Sequence, residues 1–191
     1  MIEVFWRGNS QVQINAREVK VGLNLQEPEG IDLLVYSEES GKVKLTEDQF
    51  KVDTPGEYEV RGTMVYSLIV ENGKINKAFQ LISDDVSFFY CDNFDYLPSQ
   101  DQLDAMGTID VAFIPVGANK EAENHAKKLV EMIDPRIIIP IGANEEISDK
   151  VCHDLAKQLG LKCEESQPSL KIKSRNELPA ETQEYIILQK S

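Results

Sequence analysis

Short stretches in which apolar residues alternate with polar ones, or follow one another directly, dominate the first half of the chain. Gly, Asn, Asp and Pro separate these stretches, and this pattern predicts β-strands. Asn72-Gly73 predicts a hairpin turn, because both residues tolerate positive φ. The predicted strands are Glu3–Trp6, Gln11–Ile14, Glu18–Leu23, Ile31–Tyr36, Phe50–Val52, Tyr58–Val60, Met64–Val70, Lys77–Ser83 and Val86–Tyr90.

In the second half, segments with helical spacing alternate with continuous apolar runs. The predicted helices are Ser99–Met106, Glu121–Ile133 and Ser148–Leu159, the last ended by a C-cap glycine, Gly160. The predicted strands are Val111–Val116, Ile137–Ile141, Ser169–Ile172 and Glu184–Leu188. Strands followed by a β-α-β-α order predict two sheets between helices. No linker rich in Pro, Gly or Ser divides the chain, so we expect a single α/β domain over 1–191.

The charge of the chain restricts its partners. The formal net charge is −13 and the sequence pI is about 4.6. Such a negative field repels phosphate backbones and anionic lipid, which argues against nucleic-acid and membrane binding. The N-terminus reads directly into a strand, so we expect no signal peptide, and no apolar run of the sequence approaches the length needed to span a bilayer. Cys91, Cys152 and Cys163 are an odd number without CxxC spacing. We therefore expect free thiols and a cytoplasmic location.

Four segments resemble motifs of small metallo-β-lactamase-fold hydrolases, in the same order and at similar spacing. They are WRGNS at 6–10, DTPGEYEV at 53–60, QLDAMGTIDVAFIPVG at 102–117 and DPRIIIP at 134–140. The resemblance implies a four-layered αββα sandwich with two mixed β-sheets and a metal site at the loop ends. Such enzymes use one or two zinc or similar ions to activate a water molecule. Their metal site requires several neutral imidazoles and a carboxylate.

The expected HxHxDH metal ligands are missing after the strand that ends at Tyr36. In gapless register, Glu38 and Ser40 replace the first two histidines, while Lys42 and Val43 replace the aspartate and the last histidine. A lysine ammonium repels a dication, and valine offers no lone pair. The chain is therefore similar to the family but lacks its principal metal-binding motif.

The remaining positions of the family's site have changed as well. Asn9 stands where the opening motif has histidine, and Asn24 stands roughly where the family has an outer aspartate. The family's bridging aspartate falls on Asn93 or, with a one-residue shift, on Asp92. Two further histidines become Tyr96 and Gly142. The resemblance thus predicts a vestigial pocket without metal, formed by Asn9, Glu38, Ser40, Lys42, Val43, Asp53, Asp92, Asn93, Tyr96 and Gly142.

The two histidines of the sequence, His125 and His153, both fall on predicted helices. Helices pack outside the sheets in this fold, so neither imidazole is expected at the loop ends. Cys152 next to His153 suggests a nucleophile or zinc pair, but adjacent helical residues point about 100° apart. We expect both histidines to be surface or half-buried helical residues.

These observations leave three functional interpretations. The first is a non-catalytic protein without cofactor that acts by binding a protein partner or a small molecule, or as a subunit of an assembly. The alternative is a hydrolase with a metal site rebuilt from carboxylates, for which Mg²⁺ or Ca²⁺ would be suitable. Its candidate ligands are Glu38, Glu39, Asp53, Asp92 and Asp95. The third is an unrelated α/β domain.

Overall fold

The computed structural model describes residues 1–37, 43–68, 78–94, 96–143 and 147–191. The predicted α/β sandwich with two mixed β-sheets is confirmed. The elements, in chain order, are β1 (Ile2–Gly8), β2 (Gln11–Asn15), β3 (Lys20–Leu23), β4 (Leu33–Val35), β5 (Phe50–Val52), β6 (Glu57–Val60), β7 (Thr63–Leu68), β8 (Ala78–Ser83), β9 (Val86–Cys91), α1 (Gln100–Met106), β10 (Val111–Val116), α2 (Lys120–Ile133), β11 (Ile137–Gly142), α3 (Asp149–Leu159), β12 (Leu170–Ile172), a 3₁₀ turn (Arg175–Glu177) and β13 (Glu184–Tyr185).

The two sheets share a topology in which antiparallel hairpins are joined to parallel strands. The first sheet has the order β12-β1-β2-β3-β4-β5, with β3, β4 and β5 parallel to one another. The second sheet has the order β13-β11-β10-β9-β8-β7-β6, with β9, β10, β11 and β13 parallel. Parallel strands place their carboxyl ends at one edge of a sheet. The loops after β3, β4, β5, β9, β10 and β11 therefore meet at the same end of the sandwich.

The main core lies between the two sheets. In the first part of β1 and in β2, buried residues alternate with half-buried ones, and Val4 and Val12 are fully buried. β9 to β11 are buried at every position, because one face packs on the first sheet and the other on helices. This arrangement explains why β10 reads as an uninterrupted apolar run in the sequence.

The three α-helices pack on the outer face of the second sheet, where they form a second core with β9 to β11. Ser99 caps α1 with a complete capping box, and Gly160 ends α3 in the left-handed conformation, as expected. α2 buries Ala122, Ala126, Leu129, Val130 and Ile133 against the sheet. Met132 is only half-buried.

The outer face of the first sheet carries polar side chains over β1 and β2. Arg7 donates to the Gln13 side chain at 2.7 Å and lies over the Phe5 ring, and the Gln13 amide donates to Asn15. Beside them, Leu25, Ile31, Leu34 and Tyr36 form a small apolar cluster against which Val43 packs. In the described ranges, no helix covers this face.

Several strands are shorter than the sequence suggests. β4 covers only the middle of the predicted Ile31–Tyr36, because Ile31 belongs to a turn in which its amide donates to the Pro28 carbonyl. The predicted Glu184–Leu188 reduces to two paired residues followed by isolated bridges. The Asn72-Gly73 turn and the ends of its two strands lie outside the described residues. No helix of the described chain is long and apolar enough to cross a membrane.

Candidate functional site

Three polar side chains from both sheets converge at the loop end of the sandwich. Asn24 follows β3, Ser37 follows β4, and Asp92 follows β9. The Asn24 amide nitrogen donates to Asp92 Oδ2 at 2.6 Å and to Ser37 Oγ at 2.8 Å. The Ser37 hydroxyl also donates to Asp92 Oδ2. We call Asn24, Ser37 and Asp92 the strand-end triad, and it connects the two sheets through side-chain hydrogen bonds.

The backbone around Asn24 explains how the triad forms. Asn24 has a positive φ of 52°, which asparagine tolerates better than most residues. Its backbone amide donates to Val35 at 2.8 Å, and its side-chain carbonyl accepts from the Ser37 amide at 2.8 Å. Asn24 therefore uses both ends of its side chain and its backbone to hold the loop after β4.

Asp92 is a carboxylate held away from water. Burial raises its pKa above the ordinary value, while hydrogen bonds from Ser37, Asn24 and the Asn93 side chain oppose the shift. Next to it, burial and the Asp92 charge raise the pKa of Tyr90. The Tyr90 hydroxyl donates to the Ser10 carbonyl at 2.8 Å and so remains neutral in this site.

The turn between β1 and β2 forms another wall of this end. Asn9 has a φ of 48°, and its carbonyl accepts from Trp6 Nε1 at 2.7 Å and from the Gly142 amide at 3.0 Å. The WRGNS segment is thereby tied to the end of β11. The side-chain Oδ1 of Asn9 is buried and has no hydrogen-bond partner among the described residues. A buried acceptor of this kind usually meets a donor, such as a water molecule or a ligand group.

The structure brings together only part of the predicted pocket. Asn93 adjoins the triad through Asp92, and Asp53 after β5 forms an ion pair with Lys51 at 2.6 Å. Tyr96 lies elsewhere, fully buried in the helix-side core, where it stacks on Phe89 with ring centroids 6.3 Å apart. Val43 also lies elsewhere, in the apolar cluster outside the first sheet.

Glu38, Ser40 and Lys42 were predicted for this pocket and lie outside the described residues, as do Glu39 and Asp95 of the carboxylate alternative. Sequence reasoning did not assign Ser37 to the site and placed Asn24 only approximately. The usable signal was a polar residue directly after a buried strand, which both share.

Both histidines lie on helices, and the His125 imidazole contacts the loop after β9. His125 on α2 is half-buried, with Nε2 2.7 Å from the Tyr96 carbonyl and an edge-to-face contact with Phe94. His153 on α3 is exposed, whereas its neighbour Cys152 is buried, so the two do not converge. These positions agree with the expectation for helical histidines.

The side chains that the structure describes at this end do not fit a catalytic zinc site. Zinc sites use imidazoles, thiolates and carboxylates with free lone pairs. Here the Asn24 amide nitrogen is a hydrogen-bond donor without a lone pair for a metal, and Asp92 Oδ2 already accepts two hydrogen bonds. The nearby Cys91 thiol is buried, which raises its pKa to about 12 and keeps it protonated. The described part of the chain contains no group of three or more His, Cys, Asp or Glu side chains that could hold a metal ion.

Two mixed sheets with helices on the outside and a polar group at the strand ends define the class of protein. It is the metallo-β-lactamase-type α/β sandwich. The chain belongs to the beta-lactamase superfamily, because the profile of a beta-lactamase superfamily domain matches residues 6–142.

Solved structures with the same fold include a candidate Zn-dependent hydrolase of the metallo-β-lactamase superfamily from Thermotoga maritima. It shares 16% identity with this chain, covers 98% of both chains and superposes with a TM-score of 0.80. The metallo-β-lactamase fold protein YhfI from Bacillus subtilis shares 7% identity over 82% of this chain and 92% of its own, with a TM-score of 0.62. Igni18, a metallo hydrolase from Ignicoccus hospitalis, shares 10% identity over 90% of this chain and 99% of its own, with a TM-score of 0.61. Comparison with curated protein sequences gives no significant match.

Proposed function

We propose that this chain is a non-catalytic member of the beta-lactamase superfamily that acts by binding a partner protein. The observation that carries the proposal is the strand-end triad, in which Asn24, Ser37 and Asp92 satisfy one another by hydrogen bonds at the loop end of the sandwich. Members that hydrolyse with metal need acceptor side chains at this end.

The chemistry of the triad supports this proposal. Activation of water by a transition metal requires ligands that offer lone pairs and a position open to water. The triad offers one carboxylate, whose Oδ2 is occupied by the donors of Asn24 and Ser37. The two imidazoles of the sequence lie on α2 and α3. This chemistry favours a binding function over metal-dependent hydrolysis.

The buried Asn9 Oδ1 favours binding of a hydrogen-bond donor at this end over an empty apolar pocket. A small polar molecule seated there is a second mode of binding within the same proposal. A reducing compartment such as the cytoplasm suits the protein, since its three cysteines are unpaired and two of them are buried.

The alternative is a hydrolase with a metal site rebuilt from carboxylates. Asp53 and Asp92 both follow strands that end at the loop end of the sandwich, which favours this alternative. Two contacts oppose it, because Asp53 pairs with Lys51 and Asp92 is buried within the triad. A hard cation would have to displace the Lys51 ammonium.

Metal content and hydrolysis test the proposal together. The untagged protein is purified without chelator, its metals are measured by mass spectrometry, and phosphodiester and ester hydrolysis is assayed with added Zn²⁺, Mn²⁺ or Mg²⁺. We expect substoichiometric metal, no change in melting temperature with any ion, and no hydrolysis. Stoichiometric metal with hydrolysis that Asp92→Asn abolishes would overturn the proposal and establish the alternative. Asp48→Asn, at an exposed position, is the matched control.

A further inference from the structure

A groove lies on the outer face of the second sheet, between β6–β8 and the end of α1. It has a volume of about 460 Å³, and we call it the β6–β8 groove. Its lining includes Glu57, Tyr66, Leu68, Gln80, Ile82 and Met106. None of the described residues that line it is basic.

The strand register explains the apolar floor of the groove. Tyr66 lies opposite Glu57 and Gln80, and Met64 lies opposite Glu59 and Ile82. Residues opposite one another point to the same face of a sheet. Met64, Tyr66 and Ile82 are half-buried, and they belong to neither of the two main cores. Leu68 at one end of the floor packs against the helix-side core, whereas Met64, Tyr66 and Ile82 form partly exposed apolar surface outside both cores.

Acidic side chains lie on both sides of this floor. Glu57 and Glu59 on the edge strand β6 are exposed. On the opposite side, Ala105 of α1 lines the groove, and the exposed Asp101 lies one helical turn before it on the same helix face. An apolar floor between two acidic margins selects for a ligand with an apolar face flanked by positive charges.

The dimensions of the open face match one helix. The two intervals between β6, β7 and β8 span about 10 Å at normal strand spacing, which is the diameter of an α-helix with its side chains. In the described ranges, the helices form their core mainly with β9 to β11. The end of α1 reaches β8, where the Gln80 amide donates to the Met106 carbonyl at 2.9 Å, and β6 and most of β7 are left without a helix. One further helix would extend the helical layer over the remaining strands.

We propose that the β6–β8 groove is a docking site for a basic amphipathic helix of a partner protein. This inference rests on the proposed binding function and specifies the chemistry of the partner. Leucine or similar residues at helical spacing would contact Tyr66 and Ile82, while flanking lysine or arginine side chains would face Glu57 and Asp101.

The test uses a synthetic peptide with leucine at helical spacing and lysine at the flanking positions, labelled for fluorescence anisotropy. The rim variant Glu57→Lys/Glu59→Lys is compared with the control Glu27→Lys/Glu29→Lys, which changes the net charge equally at exposed positions between β3 and β4. We expect saturable binding that weakens about tenfold or more in the rim variant, stays close to wild type in the control and decreases with salt.

Amide chemical shifts of the wild-type protein provide a measurement that does not depend on a variant folding. The peptide should produce its largest shifts in β6–β8 and α1. Three results would overturn the proposal: absent binding, equal weakening in both charge variants, or the largest shifts elsewhere. A concentration-dependent dimer that the rim variant abolishes would also overturn it, because the occupant would be a second copy of the chain. The peptide experiment tests only the docking site, whereas the metal and hydrolysis measurements test only the non-catalytic function. Each proposal can therefore be refuted without the other.

Discussion

Replacement of Asp110 should test how strongly the C-terminal segment is anchored to the second sheet. Asp110 is fully buried at the start of β10, and its Oδ2 accepts from the Ser87 amide at 2.9 Å. Arg175 Nε lies 3.0 and 3.1 Å from its two carboxylate oxygens, and Arg136 Nε lies 3.4 Å from Oδ1. Asp110 thus connects β9, the entry to β11 and the 3₁₀ turn after β12.

The expected magnitude follows from the groups left behind in Asp110→Ala. The Ser87 amide loses its buried acceptor, which costs about 1–3 kcal/mol, and charge-assisted hydrogen bonds contribute about 1.5–3 kcal/mol each when fully buried. The Arg175 and Arg136 side chains are 41% and 29% exposed, so water replaces part of what they lose. We therefore expect a loss of about 3 kcal/mol in the free energy of unfolding for Asp110→Ala. Asp110→Asn, which keeps an acceptor, should lose about half of that.

Urea unfolding followed by circular dichroism measures this loss. With an m value of about 2 kcal/mol/M, the midpoint of Asp110→Ala should fall by about 1.5 M. Asp48→Ala removes an exposed carboxylate and serves as the control. If the two variants unfold at the same midpoint, the Asp110 cluster does not contribute the stability that its geometry implies, and the reasoning is wrong.

Three smaller perturbations test the loop end and one helix cap. Because burial raises the pKa of Asp92, the native state binds more protons than the unfolded chain above about pH 4, and stability should fall as the pH rises through this range. Asp92→Asn should lack this dependence in urea titrations at several pH values, and an unchanged slope would contradict the assignment. Tyr90→Phe removes the donor to the Ser10 carbonyl and should cost about 1 kcal/mol with no change in m value. Gly160→Ala should lower the free energy of unfolding by about 1 kcal/mol, as measured by thermal unfolding. Gly160 has a φ of 71°, and an added Cβ would meet no heavy atom within 4 Å, so the whole loss comes from backbone strain.

Much of the fold was predictable because its signals are local. Ser99 and Gly160 mark helix ends through backbone hydrogen bonding that needs no tertiary context. The motifs also carried information about packing, since Asp110 and Arg136, which stand in two of the family-like segments, pair in the structure. The extent of β4 was less predictable, because the strand limits depend on turns such as the one at Ile31.

The candidate site was only partly predictable, since it depends on contacts between distant strands. Gapless register placed Tyr96 with the site, but its aromatic ring is buried against Phe89 in the helix-side core. Conversely, Ser37 is a polar residue after a buried strand but stands in no family motif, and its tertiary contact with Asp92 assigns it to the site. Aligning the chain with a family motif assigns a position to each residue, but it does not show whether a substituted side chain such as that of Tyr96 turns into the core.

The strand-end triad has a consequence for protein engineering. Functional sites commonly keep polar groups in arrangements that lower stability, because those groups are held ready for a substrate. The strand-end triad instead connects the ends of β3, β4 and β9 by hydrogen bonds that run between the two sheets. Replacing triad residues with histidines to recreate a metal site would remove hydrogen bonds that connect the two sheets. We expect such a variant to be less stable than the wild-type protein. Such a redesign should be attempted only after compensating stabilisation elsewhere in the scaffold.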